Sequence, residues 1–81
     1  MTTPDQALAS TVGRLRLERG MTQEALAFKA DVAVATLRRI ERGRSNPKWP
    51  TLVKIANALQ ITPSELLAAR EGVSESRSKR T

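Results

Sequence analysis

The sequence TQEALAFKADVAVATLRRIERG, residues 22–43, decides the fold of this 81-residue chain. Its first half has a helix N-cap residue at Thr22, followed by small and apolar residues at helical spacing. Asp31 comes next, and aspartate tolerates the left-handed backbone conformation of a tight turn. The second half repeats an apolar face at Leu37 and Ile40 and ends in a group of arginines before Gly43. The stretch therefore predicts two short helices joined by a tight turn.

The segment just after the turn has two interpretations. VAVA at residues 32–35 could form a short strand, but four residues in front of a helical pattern are weak support for one. We therefore expect the second helix of the pair to begin near Ala33 or Val34, with Val32 as an apolar plug under the turn.

Capping signals predict three further helices, one before this pair and two after it. TPDQ at residues 3–6 combines a cap, a first-turn proline and a glutamine three residues after the cap, and Gly20 suits the end of that helix. Pro50 suits the first position of a fourth helix, and TPSE at residues 62–65 opens a fifth over residues 63–70. The apolar faces of the first four helices form the expected core: Leu8, Val12, Leu15, Leu26, Ala27, Ala30, Leu37, Ile40, Leu52, Ile55, Ala56 and Leu59.

Together these elements predict an all-α fold, a compact five-helix domain over residues 1–72. Residues 73–81 are polar, charged and aperiodic, which is typical of a disordered basic tail. We expect a stand-alone domain, because 81 residues leave no room for a second folded domain.

Composition excludes several classes of protein. The sequence contains no cysteine and no histidine, which rules out disulfides, the commonest zinc ligands and a histidine general base. It has no paired-carboxylate motif and no glycine-rich phosphate loop, so we expect no enzyme, no cofactor and no metal site. No apolar run approaches the ~20 residues that a membrane span needs, and no signal peptide is visible, so we expect a cytoplasmic protein.

Positive charge is concentrated in one segment of a chain whose net charge is +6. Between residues 38 and 54, six basic side chains accompany a single acid, Glu41. Such a patch is typical of a surface that binds a polyanion such as nucleic acid, although charge alone is equally compatible with a solvated surface. The basic residues are Arg38, Arg39, Arg42, Arg44, Lys48 and Lys54.

The order of these signals resembles a known family, the phage-repressor and Cro-like (XRE-type) helix-turn-helix regulators. The resemblance covers about residues 12–67 and rests on RGMTQ at 19–23, IERG at 40–43, Asn46-Pro47 and the apolar spacing of residues 52–59. It implies a five-helix domain with the helix-turn-helix in helices two and three. It also implies a homodimer that binds a pseudo-palindromic operator in double-stranded DNA as a repressor or an activator.

The resemblance assigns base reading to the exposed face of the third helix, about residues 33–42. These positions are Val34, Ala35, Arg38 and Arg39. An arginine can bond guanine O6 and N7 together, and small apolar side chains can touch a thymine methyl. We therefore expect Arg39 to be the main guanine reader. Ala33 stands where the family often has Ser or Thr, which removes a helix cap worth ~1 kcal/mol.

The resemblance also assigns phosphate contacts and one ion pair. The phosphate positions are Thr22, Gln23, Arg42 and Arg44, with Asn46 and Lys48 as further contacts. The acid Glu41 is expected to pair with Arg16 of the first helix. We prefer a partly buried pair, whose disruption costs ~3–5 kcal/mol, to an exposed pair worth under ~1 kcal/mol.

A dimer of this kind must form through the domain itself. Leu66, Leu67 and Val73 are the expected interface, although one of the two leucines is expected to belong to the core. Phe28 and Trp49 lie on no clear core period: an exposed Phe28 could meet a partner, and Trp49 could cover the core or lie near DNA. Among small relatives, restriction–modification controller proteins are most similar in length. The alternative is an antitoxin that binds a toxin and regulates its own operon; RNA polymerase is another possible partner.

Overall fold

The computed structural model describes residues 3–70. Within that range the chain forms five helices and no strand: α1 (Pro4–Glu18), α2 (Gln23–Ala30), α3 (Val34–Glu41), α4 (Trp49–Leu59) and α5 (Pro63–Arg70). The all-α, five-helix prediction is confirmed, and residues 32–35 form no strand, because α3 begins at Val34 as expected. α4 begins at Trp49, so Pro50 occupies its second position and not its first as predicted. The predicted tail, residues 73–81, and the end of the predicted domain at residue 72 lie outside the described residues.

Local hydrogen bonds explain where these helices begin. At α1 the Thr3 hydroxyl accepts from the Gln6 amide, while the Gln6 side chain accepts from the Thr3 amide. Thr62 and Glu65 form the same reciprocal arrangement at α5. α3 is the exception, because Ala33 has the extended backbone of a cap residue but no side chain that can accept.

The first four helices each end in the same way, with one residue in the left-handed conformation. The four residues are Gly20, Asp31, Gly43 and Gln60, with φ between 59° and 73°. After each of them, the next amide donates to a carbonyl five residues earlier, as in Met21 to Arg16 and Arg44 to Arg39. This is the Schellman arrangement, which satisfies carbonyls that the helix leaves free.

One core joins all five helices. α1 packs against α3 and α5, α2 packs against α3 and α4, and α4 packs against α5. The predicted core residues are buried, except that Leu15 is partly exposed and packs against the core; Ala58 and Leu66 join them. Burial of these apolar side chains, at roughly 25 cal/mol per Å², is what holds α2 and α3 on the rest of the domain.

Candidate nucleic-acid interface

α2 and α3 are fixed by their buried faces, which leaves one face of each helix to solvent. Leu26 and Ala27 anchor α2, while Leu37 and Ile40 anchor α3. Val32 packs against the core beneath the turn between them. The turn therefore holds a helix-turn-helix whose second helix, α3, presents arginines outward.

The predicted base-reading positions of α3 differ in what they expose. Ala35 and Arg39 are exposed. Val34 is only partly exposed because its side chain packs against the core, so less of it is available for a thymine contact than the sequence suggested. The exposed face of α3 is therefore dominated by Ala35 and the guanidinium of Arg39.

Arg38 has a partner that the sequence analysis missed. Its Nη2 atom lies 3.0 Å from Oε2 of Glu24, the second residue of α2. Both side chains are substantially exposed, at 43% for Arg38 and 67% for Glu24. An exposed pair contributes under ~1 kcal/mol, so Arg38 can leave Glu24 at little cost.

The start of α2 carries two of the predicted phosphate positions. The Thr22 hydroxyl oxygen accepts from the Ala25 amide at 3.0 Å, which is the capping role. The Gln23 side chain, by contrast, donates from Nε2 to Oε1 of Glu41 at 3.1 Å. This hydrogen bond joins the first turn of α2 to the last residue of α3.

The loop after α3 carries three exposed cations: Arg42, Arg44 and Lys48. Within residues 3–70, none of them lies within 4.0 Å of a carboxylate. Asn46 is different, since its Oδ1 accepts from Arg70 at the end of α5, a contact with no local sequence signal. The three cations add a positive potential directly beyond the arginines of α3.

Arg16 and Glu41 form the partly buried ion pair. Arg16 Nε donates to Glu41 Oε2 at 2.8 Å and Nη2 donates to Oε1 at 3.1 Å, while Nη1 donates to the Met21 carbonyl at 2.8 Å. Only 13% of the Arg16 side chain and 9% of the Glu41 side chain are exposed. The hydrogen bonds to Glu41 raise the pKa of Arg16, against the opposing effect of burial. The pair ties α1 to the end of α3.

The expected dimer residues need one correction. Leu66 is fully buried in the core, so its side chain offers no surface to a partner. Leu67 is partly exposed, and Val73 lies outside the described residues. Trp49, 51% exposed, lines a groove of about 400 Å³ together with Leu67, Pro47 and Arg70. Elsewhere within residues 3–70, Phe28 and Leu17 are also large apolar side chains that are exposed.

Two further observations concern metal binding and membrane insertion. Between residues 3 and 70 no cluster of acidic side chains is arranged to hold a metal ion. No helix in that range is long and apolar enough to cross a membrane.

Residues 12–66 match the protein family described as Helix-turn-helix (HTH_3). The chain belongs to this helix-turn-helix family. The matched segment runs from α1 to α5 and includes the whole of α2, the turn and α3.

Named relatives place the family among transcription regulators. The uncharacterized HTH-type transcriptional regulator y4dJ of Sinorhizobium fredii is 38% identical over 60 residues, covering 74% of this chain and 78% of that protein. The immunity repressor of Bacillus phage phi105 is 39% identical over 80% of this chain, which spans only 48% of the repressor. The crystal structure of the restriction–modification controller protein C.AhdI from Aeromonas hydrophila superposes with a TM-score of 0.74 at 32% identity, over 76% of this chain and 94% of that one. This helix-turn-helix protein is therefore a member of a family of DNA-binding transcription regulators, which is not a family of enzymes.

Proposed function

We propose that this protein is a sequence-specific transcription regulator that acts in the cytoplasm. It inserts α3 and its flanks, about residues 33–42, into the major groove of a DNA operator. The observation that carries the proposal is the outward face of α3, where exposed Ala35 and Arg39 lead directly into the exposed cations Arg42 and Arg44. Base-reading and phosphate-binding groups then follow one another along a single helix and its exit loop.

Within this interface Arg39 is the proposed guanine reader. Its side chain is exposed on α3, and its guanidinium can donate two hydrogen bonds to guanine O6 and N7. Ala35, with the exposed part of Val34, is suited to contact with a thymine methyl. Arg38 is proposed to read a base or bind a phosphate after leaving Glu24.

Phosphate contacts are proposed at the two ends of this surface. Thr22 and Gln23 lie at the start of α2, where helix amides favour an anion. Arg44 and Lys48 contribute charge on the other side, with Arg42. The Asn46 oxygen accepts from Arg70, and its amide nitrogen is the group that can donate to a phosphate.

We further propose that the protein binds a pseudo-palindromic operator as a homodimer. The groove beside Trp49 and Leu67 is the proposed contact surface, in place of the buried Leu66. The lining of this groove includes Asn46 and Lys48, two of the proposed phosphate contacts, so the proposed dimer contact adjoins the proposed DNA-binding surface.

A narrower proposal concerns which kind of transcription regulator this protein is. The likeness to C.AhdI, a restriction–modification controller protein, extends over nearly the whole of that chain. We propose a controller-type role, which requires genes for a restriction endonuclease and a methyltransferase beside this one. Repression or activation then depends on where the operator lies relative to the promoter.

One observation favours a second candidate function. Phe28 is 89% exposed on α2, next to exposed Lys29, and such an aromatic suits contact with a protein. The candidate partner is a toxin, which would make the protein an antitoxin, or RNA polymerase. Loss of such a complex on Phe28→Ala, with DNA affinity retained, would support this function.

The proposed function is tested by selecting bound duplexes from a random DNA pool at moderate salt. The expected result is a two-fold symmetric site with half-sites ~34 Å apart, one helical turn of DNA. Salt-sensitive binding without a recovered motif would contradict sequence-specific regulation and leave a nonspecific basic domain.

A further inference from the structure

Three helices meet at the carboxylate of Glu41. Arg16 from α1 donates to both of its oxygens, at 2.8 and 3.1 Å, and Gln23 from α2 donates to Oε1 at 3.1 Å. The family resemblance implied only the first of these partners. The second joins the ion pair to a side chain that we assign to phosphate binding.

This carboxylate is held in place on several sides. Only 9% of the Glu41 side chain is exposed, and the two-pronged contact with Arg16 fixes the direction of its oxygens. Behind it, a methyl group added at Gly13 would lie 3.7 Å from Oε1, so the backbone of α1 passes close by. Arg16 is itself fixed by its bond to the Met21 carbonyl.

A fixed carboxylate imposes one orientation on the Gln23 amide. An ionised carboxylate only accepts hydrogen bonds, so it binds the amide nitrogen of Gln23 and excludes the amide oxygen. One hydrogen of Nε2 is used in this bond, and the nitrogen carries a second hydrogen for another acceptor. The amide therefore keeps a donor in a defined position at the first residue of α2.

We propose that Glu41 is a positioning residue for DNA binding, which holds Gln23 so that its second amide hydrogen donates to a backbone phosphate. The proposal rests on the proposed function. Glu41 itself does not touch DNA in this arrangement; Arg16 anchors Glu41, and Glu41 orients Gln23. The free protein then already has the geometry of the complex, which lowers the ordering cost of binding.

The positioning role can be separated from a structural one by exchanging the ion pair for apolar residues. In Arg16→Met/Glu41→Leu the net charge is unchanged, and a well-packed apolar pair commonly preserves stability. The helices stay together, but Gln23 loses its acceptor. We expect the dissociation constant for a 30-bp duplex carrying the selected site to rise about three- to tenfold, the worth of one hydrogen bond. Because the Gln23 amide is neutral, the salt dependence of binding should keep its slope.

Two further measurements complete the test. In a Gln23→Ala background the same exchange should cause no additional loss of affinity, because the group it orients is gone. Without DNA, ¹⁵N relaxation should show a rigid Gln23 side-chain amide in the native protein and a mobile one in the exchanged variant. If that variant fails to fold, Glu41→Gln replaces it, since its amide nitrogen can donate to the Gln23 oxygen and the side chain no longer imposes one orientation on the Gln23 amide.

The matched control is Arg14→Met/Glu18→Leu, which makes the same charge change in an exposed pair of α1. It should leave the affinity unchanged. An unchanged dissociation constant for Arg16→Met/Glu41→Leu, an equal loss in the Gln23→Ala background, or a mobile amide in the native protein would each overturn the inference alone. Failure of the native protein to bind the duplex would overturn the proposed function as well.

Discussion

At the scale of single residues, Arg39 and Arg44 are neighbours with different expected roles. The Arg44 amide donates to the Arg39 carbonyl at 3.0 Å, so Arg44 lies just past the end of α3, next to the last turn that carries Arg39. Arg39→Ala should cost ~1–3 kcal/mol on the best site and relax the preference at one base position of each half-site. Arg44→Ala should weaken all sequences alike and reduce the slope of log K against log salt by ~1.

Competition binding to operator variants, repeated at several salt concentrations, separates these two arginines. Arg14→Ala is the control, because that guanidinium is on α1 and already pairs with Glu18. Full discrimination among operator variants by the Arg39→Ala protein would show that another residue reads the guanine.

At the scale of helices, α3 lacks an N-cap side chain, and a single hydroxyl group at residue 33 would supply one. Ala33 is exposed, with φ −67° and ψ 141°, and no side chain accepts from the first turn. Ala33→Ser should raise the free energy of unfolding by ~1 kcal/mol, measured by urea denaturation. Ala25→Ser, at an exposed position inside α2, should lower it slightly. Equal changes at both positions would contradict the capping explanation.

The cap of α5 gives a prediction about pH. Bonds from the Thr62 amide and hydroxyl lower the pKa of Glu65 below its ordinary value of 4.5. A group whose pKa is lower in the folded state stabilises the fold above the unfolded-state pKa, and that contribution is lost as the pH falls through the folded-state pKa. Native protein should therefore lose stability below about pH 4.5 more steeply than Glu65→Gln, which can still cap but does not titrate.

Urea midpoints between about pH 6 and 3 measure this difference. Ser64→Ala changes the same turn without a titrating group and should follow the native pH profile. Parallel profiles for the native protein and Glu65→Gln would mean that the Thr62–Glu65 bonds are absent in solution.

The helices also show why some features follow from sequence and others do not. Caps such as Thr22 are local, because donor and acceptor lie within three residues, and short motifs specify them. Gln60 gives no such signal, since glutamine has no preference for the left-handed conformation that it adopts. Adjacent leucines at 66 and 67 both fit a helical period, and only packing against α1 and α4 decides which one is buried.

Side-chain pairs show the same limit more strongly. Arg38 and Glu24 are 14 residues apart, and Arg70 and Asn46 are 24 apart. No local pattern links such positions, so their pairing depends on how the helices pack. The ion pair of Arg16 with Glu41, 25 residues apart, was expected only because a family resemblance supplied it.

At the scale of the whole molecule, the size of the domain suits a symmetric site. The described domain measures 36 × 25 × 22 Å, and half-sites one helical turn apart are separated by ~34 Å. The proposed dimer of two such domains side by side is therefore of the right size for half-sites at this spacing. The groove at Trp49 shares Asn46 and Lys48 with the proposed phosphate contacts, so the proposed dimer contact adjoins the proposed DNA-binding surface.

This arrangement makes Trp49 the residue on which dimerisation should depend most. An aromatic side chain at the centre of an interface commonly contributes 2 kcal/mol or more, so Trp49→Ala should raise the dimer dissociation constant roughly thirtyfold or more in sedimentation equilibrium. Phe28→Ala, which removes a more exposed aromatic from α2, should leave the dimer dissociation constant unchanged.

Trp49 is the only tryptophan, so its fluorescence emission should move to shorter wavelength as the native protein is concentrated through the dimerisation range. Trp49→Ala should also bind a full operator less tightly while keeping its affinity for one half-site, because dimerisation links the two half-site contacts. If the Trp49→Ala dimer has the same dissociation constant as the native dimer, the interface lies elsewhere on the domain.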